Sequence, residues 1–411
     1  MKNLFLAFVA TIPAVLAAQP AISNIRLSQP RGSKVVAITY DLSGEPAVVT
    51  MDIMVNGESI GADKLVNATG DVNRKISVGT QRMIEWKACE TWPDHDEKGT
   101  VKAVLKAWPL NNPPDFMVVD LSSKSNVFFY ASAEAIPGGS TADVYKAEKM
   151  LFRKIHAAGV RWIAGCNPNY CTYQGVTRPR EYQHYVTLSE DYYIGVYEYT
   201  TGNDGTIRSK TYDAQYLKSP KGNLSWNAIR GTPSETVLSN WPKDGHQVGE
   251  GSIMDEIRKF TGIMFDLPTE AQWEYACRAG TVGEHYFSSR EAGDQNNVVK
   301  HAWILDNTSS AGNPGLQPVG HWDANPWGLY DMYGNAGEWC LDWSESYLTS
   351  AAGNDVTDPT GPATGESRAF RGGHISDGAG YAHSSDRRYS LSPSAGYSQC
   401  GMRLVCPAYA P

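Results

Sequence analysis

Long apolar runs, basic clusters and closely spaced histidines are all missing from this 411-residue chain. After the amino-terminal segment, no stretch reaches the roughly 18 uninterrupted apolar residues that a membrane-spanning helix needs. The formal net charge of -8, without any basic run, argues against nucleic acid as a partner, because phosphate neutralisation requires clustered Lys and Arg. None of the nine histidines has another at helical ligand spacing, which argues against a helix-borne metal centre.

The amino terminus has the pattern of a secretory signal. Lys2 supplies the positive charge, residues 4–16 form a short apolar run, and small residues near Ala18 offer a cleavage site. We expect residues 1–18 to be a signal peptide and the mature protein to be secreted, periplasmic or on the cell surface. An uncleaved membrane anchor is the alternative.

The cysteine pattern predicts disulfide chemistry, as is common in exported chains. Because the chain has seven cysteines, at least one thiol must stay unpaired within it. Cys166 and Cys171 flank an Asn-Pro-Asn-Tyr turn, which predicts a local disulfide. A zinc pair is the weaker alternative, since no second Cys or His pair stands nearby at ligand spacing.

Residues 20–110 have the pattern of a small β domain. The segments 34–40, 47–55 and 100–108 are rich in β-branched residues, and Asn56-Gly57 is a turn signal. Several short strands without helical periodicity predict an immunoglobulin- or fibronectin-like sandwich. The prolines in 111–115 interrupt helix and sheet alike and predict a linker, so that 116–411 forms a second domain.

The second domain is predicted to be α+β with few regular elements. Segments 251–261 and 268–278 are the best helix candidates, the second with Ala271, Tyr275 and Ala276 near one face. Residues 200–250 are polar and weakly periodic, which predicts long surface loops. Segment 142–153 is compatible with either a short helix or a strand.

Three motifs carry a resemblance to a known family. Leu267-Pro-Thr-Glu-Ala-Gln-Trp-Glu-Tyr-Ala-Cys-Arg-Ala-Gly280, Asn325-Pro-Trp-Gly-Leu-Tyr-Asp-Met-Tyr-Gly-Asn-Ala-Gly-Glu-Trp339 and Arg371-Gly-Gly373 occur in the family's order. Over roughly residues 115 to 406 the chain resembles the formylglycine-generating enzyme (sulfatase-modifying factor) family. The resemblance implies a C-type-lectin-like fold for the second domain.

The resemblance also implies a structural calcium site. Asp331 and Glu338 would supply carboxylates, and Met332, Gly334 and Ala336 would supply backbone carbonyls, which suit a hard cation. The alternative is a hydrogen-bonded turn in which the two carboxylates only cap backbone amides.

The Arg371-Gly-Gly373 block leads into the family's substrate cleft. Polar and aromatic residues there are candidates for ligand contact, namely His374, Asp377, Tyr381, His383, Asp386, Arg387 and Tyr389. Aromatic side chains stack on sugars or anchor protein partners, so we expect a glycan or an exported protein or peptide as ligand. The alternative is a solvated loop with Arg387 or Arg388 in a buried structural pair.

The chemistry of the family enzyme is not expected in this chain. In the enzyme, two cysteines shortly after Arg-Gly-Gly bind copper, but here Asp377 and Ala382 stand where the resemblance requires thiolates. We therefore expect no copper and no catalytic residue, and predict an exported binding or accessory module. The alternatives are a divergent oxidative enzyme acting on an exported sulfatase or peptide, and a structural cell-envelope module.

Overall fold

The computed structural model describes residues 18–93, 99–166, 172–173, 176–177, 183–231, 247–287, 295–308, 315–344, 355–387 and 390–409. The expected signal peptide, together with Cys171 and Tyr389, lies outside the described residues. The fold is mixed α and β with few helices. No helix in the described ranges is long and apolar enough to cross a membrane.

The N-terminal part consists almost entirely of strands. They are β1 (Ala21–Ser28), β2 (Val36–Ser43), β3 (Ala47–Val55), β4 (Glu58–Ser59), β5 (Ala68–Gly70), β6 (Lys75–Ile76), β7 (Gly79–Trp86) and β8 (Val101–Pro109). A short helix, α1 (Ala88–Thr91), follows β7. One sheet has the order β1-β2-β7-β5, and the other joins β4, β3 and β6, with β8 paired to β3.

The predicted strands and turn in this part are confirmed. Strand β3 has the predicted bounds 47–55, and Asn56 and Gly57 form the two-residue turn into β4, where Val55 pairs with Glu58. Both turn residues have positive φ, as this kind of tight hairpin requires. A single apolar cluster takes residues from both sheets, including Ile38, which is fully buried.

The C-terminal part contains fourteen further strands in the described residues. They are β9 (Phe116–Asp120), β10 (Val127–Tyr130), β11 (Lys149–Ile155), β12 (Arg161–Ala164), β13 (Thr172–Tyr173), β14 (Val176–Thr177), β15 (His184–Thr187), β16 (Tyr192–Gly195), β17 (Gly337–Trp343), β18 (Asp355–Thr357), β19 (Arg368–Arg371), β20 (Ser390–Leu391), β21 (Cys400–Gly401) and β22 (Val405–Pro407). Two sheets matter for the site: one of order β10-β9-β11-β16-β22 and one of order β20-β19-β17-β21. Segment 142–153, compatible with helix or strand by its sequence, contains a 3-10 turn at Asp143–Lys146 and then β11.

Five helices accompany these strands in the described part of the chain. They are α2 (Thr201–Arg208), α3 (Trp226–Arg230), α4 (Ile253–Thr261), α5 (Glu270–Arg278) and α6 (Leu305–Thr308). Both predicted helices are confirmed, as α4 and α5. Helix α5 begins with a capping box in which the Thr269 side chain accepts from the Gln272 amide.

Helix α5 buries all nine of its residues, including Ala271, Tyr275 and Ala276. One expectation about helices is wrong. The segment 200–250 is not all surface loop, since its described residues include α2 and α3. Thr200 starts α2 with a second capping box, and Trp226 of α3 is 2% exposed because it packs in the core.

The predicted linker is packed against the C-terminal part. Pro113 and Pro114 are buried. The Pro113 carbonyl accepts a hydrogen bond of 2.6 Å from the Lys154 ammonium, and the Pro114 carbonyl accepts one from the Tyr193 hydroxyl. Residues 111–115 therefore do not form a free tether in this structure.

Candidate functional site

The Arg-Gly-Gly block begins at the end of β19, and Arg371 is the last residue of that strand. The Arg371 side chain is fully buried and forms an ion pair of 2.5 Å with Glu274 of α5. Its guanidinium also lies 5.2 Å from the ring centre of Trp273. Arg371 thus joins β19 to α5, which is a structural role.

The two glycines that follow are required by the backbone. Gly372 and Gly373 have φ of 92° and 67°, a region that residues with a Cβ rarely adopt. A Cβ on Gly373 would come within 2.9 Å of the Tyr381 carbonyl oxygen. The glycines therefore let the chain turn sharply under the segment that carries the expected cleft residues.

Helix α5 is the centre of a buried charge network. Glu270 is paired bidentately with Arg387, and Glu274 contacts both Arg371 and Arg278. Burial opposes ionisation of Glu274, but the two arginines outweigh it and hold the pKa of that carboxyl below its usual value. Paired charges of this kind hold α5 against the Arg-Gly-Gly segment.

The structure separates the expected cleft residues into two groups. His374 and Tyr381 are partly exposed, whereas His383, Asp386 and Arg387 are buried. The pairing with Glu270 makes Arg387 part of the network, in agreement with the structural alternative given for it. His374 and Tyr381 are consequently the described cleft candidates that a ligand could reach.

Asp377 positions His374. The Asp377 carboxylate accepts from the His374 amide at 2.9 Å and lies 3.4 Å from the ring nitrogen Nδ1 of the same residue. Its own carbonyl accepts from the Leu305 amide at the start of α6. Asp377 is 4% exposed, so its carboxylate lies on the buried side of the loop. His374 is partly exposed to solvent.

The positions expected for a copper-binding thiol pair do not fit copper. Asp377 offers a hard carboxylate that the His374 amide already occupies, and Ala382 offers a buried methyl group. Cu(I) sites are built from soft thiolate or thioether ligands. The residues present therefore do not match that donor set.

Four of the five free thiols in the described part of the chain are buried. Cys166 is disulfide-bonded, and its expected partner Cys171 lies outside the described residues, while Cys89, Cys277, Cys340, Cys400 and Cys406 are free. Burial raises the pKa of Cys277 to about 12 and that of Cys400 to about 11, so both stay protonated at neutral pH. Cys277 faces Ser384, whose hydroxyl oxygen lies 3.7 Å from its sulfur.

Thiol labelling should separate these cysteines. With a maleimide at pH 7, we expect Cys89 to react in the native protein, because it alone among the described free cysteines is exposed. Cys277 and Cys400 should react only after unfolding, which peptide mass spectrometry would detect. A Cys89→Ser variant serves as control and should show almost no native labelling. Fast native labelling of Cys277 would contradict the buried arrangement.

The expected calcium loop is organised around an arginine. Arg403 is fully buried and binds both Glu338 oxygens, at 2.7 to 3.1 Å. Glu338 also accepts from the Trp273 indole at 2.6 Å. The Arg403 guanidinium further donates to the carbonyls of Gly195 and Tyr330. One cation thereby joins β16, the 330 loop and β17.

Two more buried carboxylates lie beside this pair. Glu198 accepts from the Ala336 amide at 2.9 Å and the Asn335 side chain at 3.0 Å. Burial, followed by the charges of Asp331 and Glu338, raises the pKa of Glu198 well above its usual value. Burial also raises the pKa of Asp331 to about 6.

Both carboxylates of the expected calcium site already have protein partners. Arg403 and Trp273 occupy Glu338, whereas Asp331 accepts from the Gly320 amide through Oδ2 and has no hydrogen-bond partner for Oδ1 among the described residues. No group of three His, Cys, Asp or Glu side chains in the described ranges is arranged to hold a metal ion. The residues do not fit a shell that includes Glu338. Calcium at this loop stays a prediction, with Asp331 as its remaining anionic ligand.

Asp342 gives the site a pH dependence. Its carboxylate is buried and accepts from the Glu270 amide at 2.8 Å. Burial, and then the charge of Glu270, raises the pKa of Asp342 to about 7 from an ordinary value of 3.8. Because the folded state holds this proton more tightly than the unfolded state, Asp342 stabilises the fold below about pH 4 and loses that contribution as the pH rises through 7.

An Asp342→Asn variant should remove this dependence. The parent protein should lose stability between pH 4 and pH 8 as the buried Asp342 ionises, whereas asparagine does not ionise. The difference in the free energy of unfolding should therefore shift in favour of the variant, by about 2–4 kcal/mol at pH 8. Urea unfolding at both pH values measures the difference. Asp355→Asn, at an exposed pair, should follow the parent profile. Parallel profiles for Asp342→Asn and the parent would contradict the assignment.

Sequence reasoning missed Glu198, Asp342 and Arg403. Glu198 lies in the segment Tyr-Glu-Tyr, where an acidic residue among aromatics is a signal for burial that could have been noticed. Arg403 stands in Met-Arg-Leu-Val, again one charge in an apolar run. Charged residues are rarely buried unless paired, so such isolated charges predict buried ion pairs.

Comparisons with known proteins place these features in a family. The model of the sulfatase-modifying factor enzyme 1-like domain matches residues 172–408. Formylglycine-generating enzyme from Streptomyces coelicolor is 33% identical over 170 residues, covering 39% of this chain and 53% of that protein. The Bos taurus enzyme is 30% identical over 167 residues, covering 38% and 40%. The chain thus spans about half the length, or less, of these curated relatives.

Among solved structures the likeness is partial. Treponema denticola variable protein 1 covers 63% of this chain and 95% of its own, with 24% sequence identity and a TM-score of 0.47.

Proposed function

Since the chain belongs to the family of sulfatase-modifying factor enzyme 1-like domains, we propose that it is an exported, non-catalytic member that binds a glycan or an exported protein or peptide. The contact surface is the segment from His374 to Tyr381, supported from below by Asp377 and α5. The protein would bind its ligand at the position of the family's substrate cleft and would not catalyse the oxidation of a cysteine.

One observation carries this proposal. Where the family enzyme's copper-binding cysteines are expected, this chain has Asp377, which is bonded to the His374 amide, and the buried Ala382. The buried thiol of Cys277, on helix α5, is kept protonated by its raised pKa. A carboxylate that fixes a partly exposed histidine is suited to hold a binding loop in shape.

The proposal extends to location and domain architecture. The export route would be the signal peptide at 1–18, with a secreted, periplasmic or cell-surface location. The N-terminal part, at 20–110, would be an immunoglobulin- or fibronectin-like sandwich, joined by 111–115 to a C-type-lectin-like domain at 116–411. The two antiparallel sheets around one apolar cluster support the first assignment.

The test is a binding screen of the mature protein against glycan and peptide arrays. For each hit, His374→Ala and Tyr381→Phe should weaken affinity by about tenfold or more, because each removes a direct contact. Tyr397→Phe is the matched control, since Tyr397 is 59% exposed and lies outside the segment. Hits that none of the cleft substitutions affects would overturn the assigned surface.

An oxidative modification enzyme is the second candidate, supported by the match to the family's domain. Copper-treated protein would be incubated with a cysteine-containing sulfatase-type peptide, and the product analysed by mass spectrometry for an aldehyde. We expect no conversion. Conversion that survives Cys89→Ser would refute the non-catalytic proposal, because Cys89 is the exposed thiol of the described part.

The calcium prediction can be tested separately. A calcium-dependent rise in melting temperature that Asp331→Asn abolishes would support binding at this loop, since ligand binding to the folded state raises stability. A melting temperature that neither calcium nor a chelator changes would contradict the calcium site. Arg403 would then be the cation that balances the charge of Glu338 in this loop.

A further inference from the structure

A cavity of about 340 Å³ lies between the outer face of strands β3 and β8 and the segment 131–135. Its walls therefore come from both the N-terminal and the C-terminal part. The backbone amide of Phe129 donates to the Asn73 carbonyl at 2.7 Å beside it, which links the two walls. A volume of this size is within the range of small-molecule sites, about 300–1,000 Å³.

An aromatic side chain with a cation forms one end of the cavity. The Trp108 indole donates to the Thr50 hydroxyl at 2.9 Å, which fixes the orientation of the ring. The Lys106 ammonium lies 3.3 Å from the centre of that ring. Within the described part of the chain, Lys106 takes part in no ion pair, so its charge is available to an anionic ligand.

Polar groups of a different kind lie further along the same face. Strand register places Thr50 opposite Lys106 and Asp52 opposite Val104, so that Asp52 and Lys106 are diagonal neighbours. Asp52 accepts from the Ser59 hydroxyl at 2.8 Å and pairs with no cation among the described residues. Asn73 also lines the cavity, and its side chain has no hydrogen-bond partner among the described residues.

We infer that this cavity binds a carboxylated saccharide of the hexuronic-acid type. Lys106 would take the carboxylate through a charge-assisted hydrogen bond, and the Trp108 ring would pack on the apolar face of the sugar. The Asp52 carboxylate would accept hydrogen bonds from ring hydroxyls, and the Asn73 amide would both donate to them and accept from them. The Lys106 ammonium moves from the ring to the ligand carboxylate, giving up only a weak exposed cation–π contact.

The site goes beyond the proposed function, because it uses no residue of the segment 371–387. A bound sugar would touch both parts of the protein. It should therefore raise the melting temperature of the whole chain, since binding stabilises the folded state.

The experiment uses titration calorimetry of the mature protein with D-glucuronate, D-glucose and L-alanine. We expect glucuronate to bind more tightly than glucose, and Lys106→Met to weaken glucuronate binding by about tenfold or more. Lys102→Met is the matched control, because Lys102 is an exposed lysine four residues away on the same strand and does not line the cavity. Melting temperatures of all variants check that they are folded.

Several results would overturn the inference. One is that glucuronate gives no heat of binding. Others are that glucose binds with the same affinity as glucuronate, that alanine binds more tightly than glucuronate, or that Lys106→Met and Lys102→Met reduce the affinity for glucuronate equally. The same variants leave the cleft at His374 untouched, so array binding through that segment should not change. Failure here and failure of the proposed function are in this way separate outcomes.

Discussion

Replacing Arg403 by methionine is expected to lower the free energy of unfolding by about 3–5 kcal/mol, because the change leaves buried carboxylates without their cation. Arg403 is fully buried and binds both oxygens of Glu338. Although burial opposes its charge, the Glu338 carboxylate raises the pKa of Arg403. Glu198 and Asp331 lie within electrostatic reach and would add repulsion.

Two comparisons isolate the cause of that loss. Arg161→Ala breaks an exposed ion pair with Asp355 and should cost about 0–1 kcal/mol. The double variant Glu338→Gln, Arg403→Met should recover part of the loss, since it removes one of the uncompensated charges and keeps an acceptor for Trp273. Urea denaturation at pH 7 measures all three. A loss below about 1 kcal/mol for Arg403→Met would contradict the buried pair.

Gly334→Ala should destabilise the protein by more than about 4 kcal/mol or prevent folding, because two separate costs combine at this residue. Gly334 has φ of 73°, and a Cβ at this residue would overlap the backbone carbonyl of Trp303. That carbonyl accepts the Asn335 amide at 2.8 Å, so it cannot move away freely.

Gly328→Ala provides the matched control in the same loop. Gly328 has φ of 82°, but no atom lies within 4 Å of the position that an alanine methyl group would take, so only the backbone cost of about 1–2 kcal/mol applies. Thermal and urea unfolding of the two variants compares them directly. Equal losses would show that the contact with Trp303 contributes nothing, and that the loop can rearrange.

Regular elements with local signals were predictable from the sequence. Strand β3 follows from its β-branched run and the Asn56-Gly57 turn, and helix α5 from the spacing of Ala271, Tyr275 and Ala276. Helices α2 and α3 were not, because α2 is mostly polar and α3 has only five residues. They depend on distant partners: the Trp226 indole donates to the Cys340 carbonyl, 114 residues away.

The candidate site was predictable in location but not in arrangement. The Arg-Gly-Gly block and the loop 331–338 are adjacent in the structure, since Glu338 pairs with Arg371 across strands β17 and β19. However, the partners that decide which charges are buried are far apart in sequence, as with Glu270 and Arg387 at 117 residues. A pattern of residue types contains no information on such long-range pairing.

The packing of Pro113 and Pro114 limits how the protein can be shortened. Lys154 is 2% exposed, and burial lowers the pKa of its ammonium, which is held by the Pro113 carbonyl and the Asn112 side chain. A truncated version starting at Phe116 would lose both acceptors and leave a buried cation without them. The residues between the two parts therefore belong to the second one as a folding unit, and exchange of the N-terminal part between relatives is expected to succeed only upstream of Asn112.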